Sequence, residues 1–168
     1  MKTLFVIAAL AVGQLVAAQK TVEIKKFSTL AVSGNIELTL IKSSENKAVI
    51  SEGEDSLRIG TDEGVLALSN NGGETAEIKI YHDGRINEIA LSGSVEMNAT
   101  DGIKSNDLTI AAASGTEINI VVDAKKLTMA IASGAEMNIS GNAKVLDVNV
   151  ASGAEMWVVK LKCVNSKV

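Results

Sequence analysis

Between residues 90 and 160 the chain returns four times to the same few letters. The copies are Ser92-Gly93-Ser94-Val95-Glu96-Met97-Asn98, Ser114-Gly115-Thr116-Glu117-Ile118-Asn119, Ser133-Gly134-Ala135-Glu136-Met137-Asn138 and Ser152-Gly153-Ala154-Glu155-Met156-Trp157. Their serines are separated by 22, 19 and 19 residues, and a divergent copy, Ser33-Gly34-Asn35-Ile36-Glu37-Leu38, stands 59 residues before Ser92, close to three periods. A unit of this size cannot bury an apolar face alone, so neighbouring units must stack and cover one another.

Inside each unit the apolar residues alternate with period two, the signature of a half-buried strand. Leu127, Met129 and Ile131 fall on one face, with Thr128 and Ala130 on the other. After the Ser-Gly break, Ala135, Met137 and Ile139 take the inner face and Glu136 and Asn138 point out; Leu146, Val148 and Val150 then repeat the inner pattern. Ser140-Gly141-Asn142-Ala143-Lys144 reads as the turn between units. Each unit is thus strand, Ser-Gly corner, strand, polar turn. Stacking places equivalent residues about 4.8 Å apart. The predicted fold is all-β, a right-handed parallel β-helix (β-solenoid) with coils of roughly 19–22 residues, its hand taken from the crossover rule.

Residues 19–90 carry shorter, less regular strand patterns at 21–24, 29–32, 36–41, 48–51, 65–68 and 77–81. They read as the first, irregular coils of a single domain over residues 19–168, with the regular Ser-Gly repeats at 90–160. Composition agrees with repetition: there is no proline and aromatics make up 2%, so Val, Ile, Leu, Ala and Met must fill the interior. The aromatic anchors common in sandwiches are nearly absent.

Lys2, the apolar run from Leu4 to Ala18 and the small residues Val16-Ala17-Ala18 read as a signal peptide over residues 1–18. The run is short for a membrane span and is interrupted by Gly13 and Gln14. The mature chain is therefore expected without a transmembrane span and exported to the periplasm or the cell surface. A net charge of -4 and only two arginines, Arg58 and Arg85, argue against nucleic acid as a partner. The single cysteine, Cys163, reads as a small buried hydrophobe.

Phe27-Ser28-Thr29-Leu30-Ala31-Val32-Ser33-Gly34-Asn35-Ile36-Glu37-Leu38, then Ser51-Glu52-Gly53-Glu54-Asp55, then the Ser-Gly units from Ser92 to Gly153 together resemble the putative autotransporter adhesin, head GIN domain family of bacterial exported proteins. The resemblance covers essentially the whole mature chain. It implies a right-handed parallel β-helix and transfers no activity.

Two outward rows are the candidate sites. Glu96, Glu117, Glu136 and Glu155 form an acidic row that is either a weak cation-binding ladder or a solvated face. Asn98, Asn119 and Asn138, with Trp157 in the last copy, form a second row suited to an amide ladder or to contact with a sugar or partner. His82, in Tyr81-His82-Asp83, has no nucleophile signature around it and reads as a strand-end turn. The sequence thus points to a non-catalytic envelope or cell-surface module that adheres to, or binds, a polymer or protein. It is expected to carry no cofactor and no catalytic residues. An envelope protein or glycan is the expected partner, with self-association through an uncapped C-terminal coil. The alternative is a β-helix carbohydrate-active enzyme, a lyase or glycosidase; that reading lacks clustered acids and bases.

Overall fold

A computed structural model describes residues 19–167. The signal-peptide assignment, residues 1–18, lies outside them. The order of elements is β1 (Lys20–Glu23), β2 (Thr29–Gly34), β3 (Ile36–Lys42), β4 (Lys47–Glu52), β5 (Leu57–Asp62), β6 (Val65–Asn70), β7 (Ala76–His82), β8 (Glu88–Ser92), β9 (Val95–Ala113), β10 (Glu117–Ala132), β11 (Glu136–Val150) and β12 (Glu155–Lys167). Among the described residues no helix is long and apolar enough to cross a membrane.

The chain is all-β, as the alternation predicts, but it does not form the right-handed parallel β-helix. Its strands belong to one mixed sheet of 12 strands, in the order β1-β4-β7-β3-β9-β8-β2-β6-β5, with β10, β11 and β12 following from β9. Three pairings, β1 with β4, β4 with β7 and β5 with β6, are antiparallel. The physical reason is local. Asp62 pairs with Val65 across Glu63 and Gly64, both at positive φ (45° and 80°), as in the type I′ turns that close hairpins. A two-residue reversal of this kind forces antiparallel neighbours, whereas a stack of coils needs a crossover at every step.

The repeat region keeps the predicted pairing. β10 and β11 are parallel and in register from Glu117 opposite Glu136 to Ile131 opposite Val150, a constant offset of 19 residues. β9 with β10 and β11 with β12 are also parallel, each with one register shift, between Ile120 and Val122 and between Ile139 and Gly141. The Ser-Gly dipeptides are the corners. Ser133 and Gly134 both lie at positive φ (58° and 74°), and Ala135 N–H donates to Ala132 C=O across them at 3.2 Å. Serine in this left-handed region carries strain that glycine does not.

Along β10 the buried side chains are Ile118, Ile120, Val122 and Ala124, and then, one step out of phase, Leu127, Met129 and Ile131. The adjacent exposed pair Lys125-Lys126 marks the change of phase, so one strand turns two inner faces toward the same apolar interior. That interior is continuous from Phe27 and Leu30 through Met97 and Ile110 to Met137 and Val148. Burying an aliphatic side chain of this size stabilises by about 1.5–3 kcal/mol, so medium-sized residues suffice where aromatics are scarce. Toward β12 the covering ends. Val150, predicted inside, is 42% exposed; among the described residues β11 pairs with β12 as far as Asp147 opposite Lys167. Val158, Val159 and Val164 are also exposed, and among the described residues β12 pairs with β11 alone.

Candidate functional site

The acidic row is longer than the repeats indicate. Glu37 pairs with Glu96 on one side and Glu77 on the other, and Glu77 pairs with Glu52. Glu96, Glu117, Glu136 and Glu155 continue it strand by strand. All are exposed except Glu77, which is half-buried. Outward carboxylates at strand spacing face water rather than a common centre. Among the described residues no three His, Cys, Asp or Glu side chains are placed to hold a metal ion. Glu96 Oε1 accepts a hydrogen bond from Asn98 Nδ2 at 3.2 Å, which joins this row to the next.

Asn98, Asn119, Asn138 and Trp157 also stand in register, with Thr39 and then Lys79 extending their row into the first half. The asparagines are half-buried and Trp157 is 43% exposed. The chemistry along this row changes from lysine through hydroxyl and amide to indole, so it offers no uniform ladder over its whole length.

His82 ends β7 as predicted, but it is buried. Its Nδ1 accepts from Gly84 N–H at 3.1 Å, a bond that needs the unprotonated nitrogen. Burial holds its pKa below the usual 6.5, and Lys42 adds to this, while Asp83 and Asp101 oppose it. Cys163, expected to be buried, is exposed, with its thiol donating to Asn165 C=O at 2.8 Å. The edge position of β12 explains the difference.

Two features escaped sequence reasoning. The first is a groove of about 540 Å³ on the face opposite the inner pattern of β2, β6, β8, β9, β10 and β11. Its floor is a row of alanines brought into register, Ala67, Ala31, Ala90, Ala111 and Ala130, ending at Asn149. Beside it runs Ser69, Ser33, Ser92, Ala113 and Ala132. Among the described residues no charged side chain lines this groove. The signal lay in the outward alanines at 90, 111 and 130, which alternate with inner residues and match no motif.

The second is a depression of about 560 Å³ near the change of phase in β9 to β12, lined by Lys104, Lys125, Lys144 and Lys162. No run of basic residues announces it, because each lysine comes from a different strand.

No curated relative matches the chain. Solved structures do. A putative adhesin from Parabacteroides merdae shares 17% identity over 89% of this chain and 75% of its own, with a TM-score of 0.68. A putative adhesin from Parabacteroides distasonis shares 15% identity over 87% of this chain and 76% of its own, with a TM-score of 0.66. A putative lipid binding protein from the same species gives 17% identity, 89% and 76% coverage and a TM-score of 0.61. At such identities the likeness is one of fold. The family model described as putative auto-transporter adhesin, head GIN domain, matches residues 26–168, and the chain belongs to that family.

Proposed function

We propose that this protein is a non-catalytic module of the cell envelope or cell surface that binds another macromolecule through an extended outer face of its sheet. The alanine-floored groove carries the reading. Small side chains held on a rigid sheet let a partner approach over six strands, and they have almost no rotamer freedom to lose when it does. Membership of an adhesin family supports a surface role without catalysis. The lyase or glycosidase alternative has less support, since the glutamates are spread one per strand and Arg58 and Arg85 lie on the β5 strand and the β7–β8 connection, off the repeats.

The test fills the groove and leaves the inner face untouched. Ala90→Arg combined with Ala130→Arg is expected to keep the melting temperature while lowering retention on envelope glycans and proteins by about tenfold. Unchanged retention would remove the groove from the reading, and depolymerisation of an acidic polysaccharide by the purified protein would replace it with the enzyme.

The apolar lining favours a second reading in which the groove takes an acyl chain, a reading in keeping with the putative lipid binding protein that shares this fold. Displacement of a fluorescent fatty acid from the wild type, lost in the double-arginine variant, would select it.

A further inference from the structure

We infer that the lysine-lined depression is a separate binding site for a linear polyanion, and that an acidic glycan chain is the occupant its lining fits. This does not rest on the alanine groove, which lies on another stretch of the surface and shares no residue with it.

Lys104, Asp123, Asn142 and Lys162 form one row across β9, β10, β11 and β12. Lys125 and Lys144 follow Ala124 and Ala143, which pair with each other, so these two lysines stand side by side on adjacent strands. Between the two sets the floor is the strand backbone at Ala124 and Ala143, whose side chains turn into the core, with Cys163 in line with them on β12. The four lysines are exposed, and among the described residues they face a single lining carboxylate, Asp123, which meets Lys104 at 3.5 Å. In a chain of net charge -4 this is a local reversal of sign.

The arrangement selects among anions. The ammonium groups come from four strands spaced about 4.8 Å apart and do not converge, so no single phosphate can engage them all. A chain bearing regularly spaced negative groups can, each contact being weak and the set acting together. Among the described residues the lining holds neither aromatic ring nor arginine, the groups that stack on bases and read their edges, which favours a glycan over a nucleic acid.

Cys163, the only cysteine of the chain, sits in this lining and makes occupancy measurable. The full chain is treated with an uncharged maleimide in the presence of polygalacturonate, neutral dextran, inorganic phosphate or single-stranded DNA, matched in charge where charged. Polygalacturonate is expected to slow labelling, dextran to have no effect, and added salt to restore the rate. Lys125→Glu with Lys144→Glu should weaken polygalacturonate binding at least about tenfold. Lys25→Glu with Lys26→Glu, an equal change of charge at exposed lysines before β2, should shift it by less than about twofold. The double-arginine variant of the alanine groove should label and bind as the wild type does. The inference is overturned if polygalacturonate gives no protection, if both glutamate pairs weaken binding equally, if phosphate or DNA protects as well as the glycan, or if blocking the alanine groove abolishes protection.

Discussion

The same dipeptide turns the chain in both halves of the molecule, yet it is held by different forces in each. At Gly34 the backbone has φ 97°, and a methyl group there would collide with the Asn70 carbonyl oxygen. Gly93 packs directly on Gly34, with its missing Cβ 2.9 Å from the Gly34 nitrogen. Asn70 closes the arrangement: its Nδ2 donates to Asn35 C=O at 2.7 Å and to Glu74 C=O at 2.8 Å, and its Oδ1 accepts from Gly72 N–H at 2.9 Å. In the repeats, Gly115, Gly134 and Gly153 also have positive φ, but nothing lies within 4 Å of where a Cβ would be. The Ser-Gly corners at Gly34 and Gly93 thus need glycine for both space and conformation, and those at Gly115, Gly134 and Gly153 for conformation alone.

Substitutions separate the two kinds of corner. Gly34→Ala should destabilise by about 4 kcal/mol or more, since clash and backbone strain act together, and chemical denaturation would measure it. Gly134→Ala should lower stability by only about 1–2 kcal/mol, the strain of the left-handed conformation; an equal loss at both sites would mean that the two corners are held alike. Thr116 tests the repeat interior. Its buried Oγ1 has no hydrogen-bond partner among the described residues, and the matching positions carry Val95, Ala135 and Ala154. Thr116→Val should therefore raise stability by about 1 kcal/mol. Ser133→Gly should relieve corner strain against a gain in unfolded-state entropy, a net stabilisation of about 0.5 kcal/mol.

The smallest effect separates the halves by pH. The single histidine, His82, lies in the first half, and burial lowers its pKa in the folded state. The unfolded chain then binds the proton more readily, so the stability this residue contributes is complete above about 6.5 and is lost as pH falls from there toward the folded pKa. His82→Asn should flatten the fall in melting temperature between pH 7 and 5, and a slope unchanged by that substitution would assign it to the carboxylates.

Much of the second half was legible in the sequence because one physical rule, in-register parallel pairing, writes its period directly into the letters. The 19-residue offset places Glu117 opposite Glu136 and Asn119 opposite Asn138 as the repeats imply. The first half has no such rule. β5 was missed because Arg58, Gly60 and Asp62 break up the apolar pattern of an edge strand, and the reversal at Glu63-Gly64 lacks the usual asparagine or aspartate. The lysine depression was hidden for another reason. The register shift near Gly141 sets Asn142 opposite Lys162, an offset of 20 rather than 19, so the outer lysines fall out of phase with the period that reveals the glutamates.

The constant offset between β10 and β11 also has a genetic consequence. An in-frame duplication of residues 133–151 would insert one whole rung and extend every row together, adding a glutamate, an asparagine, a groove-facing residue and a lysine in step. A point mutation edits one contact, whereas a slipped copy changes the length of all the faces at once. Valency in this architecture can therefore be inherited as copy number.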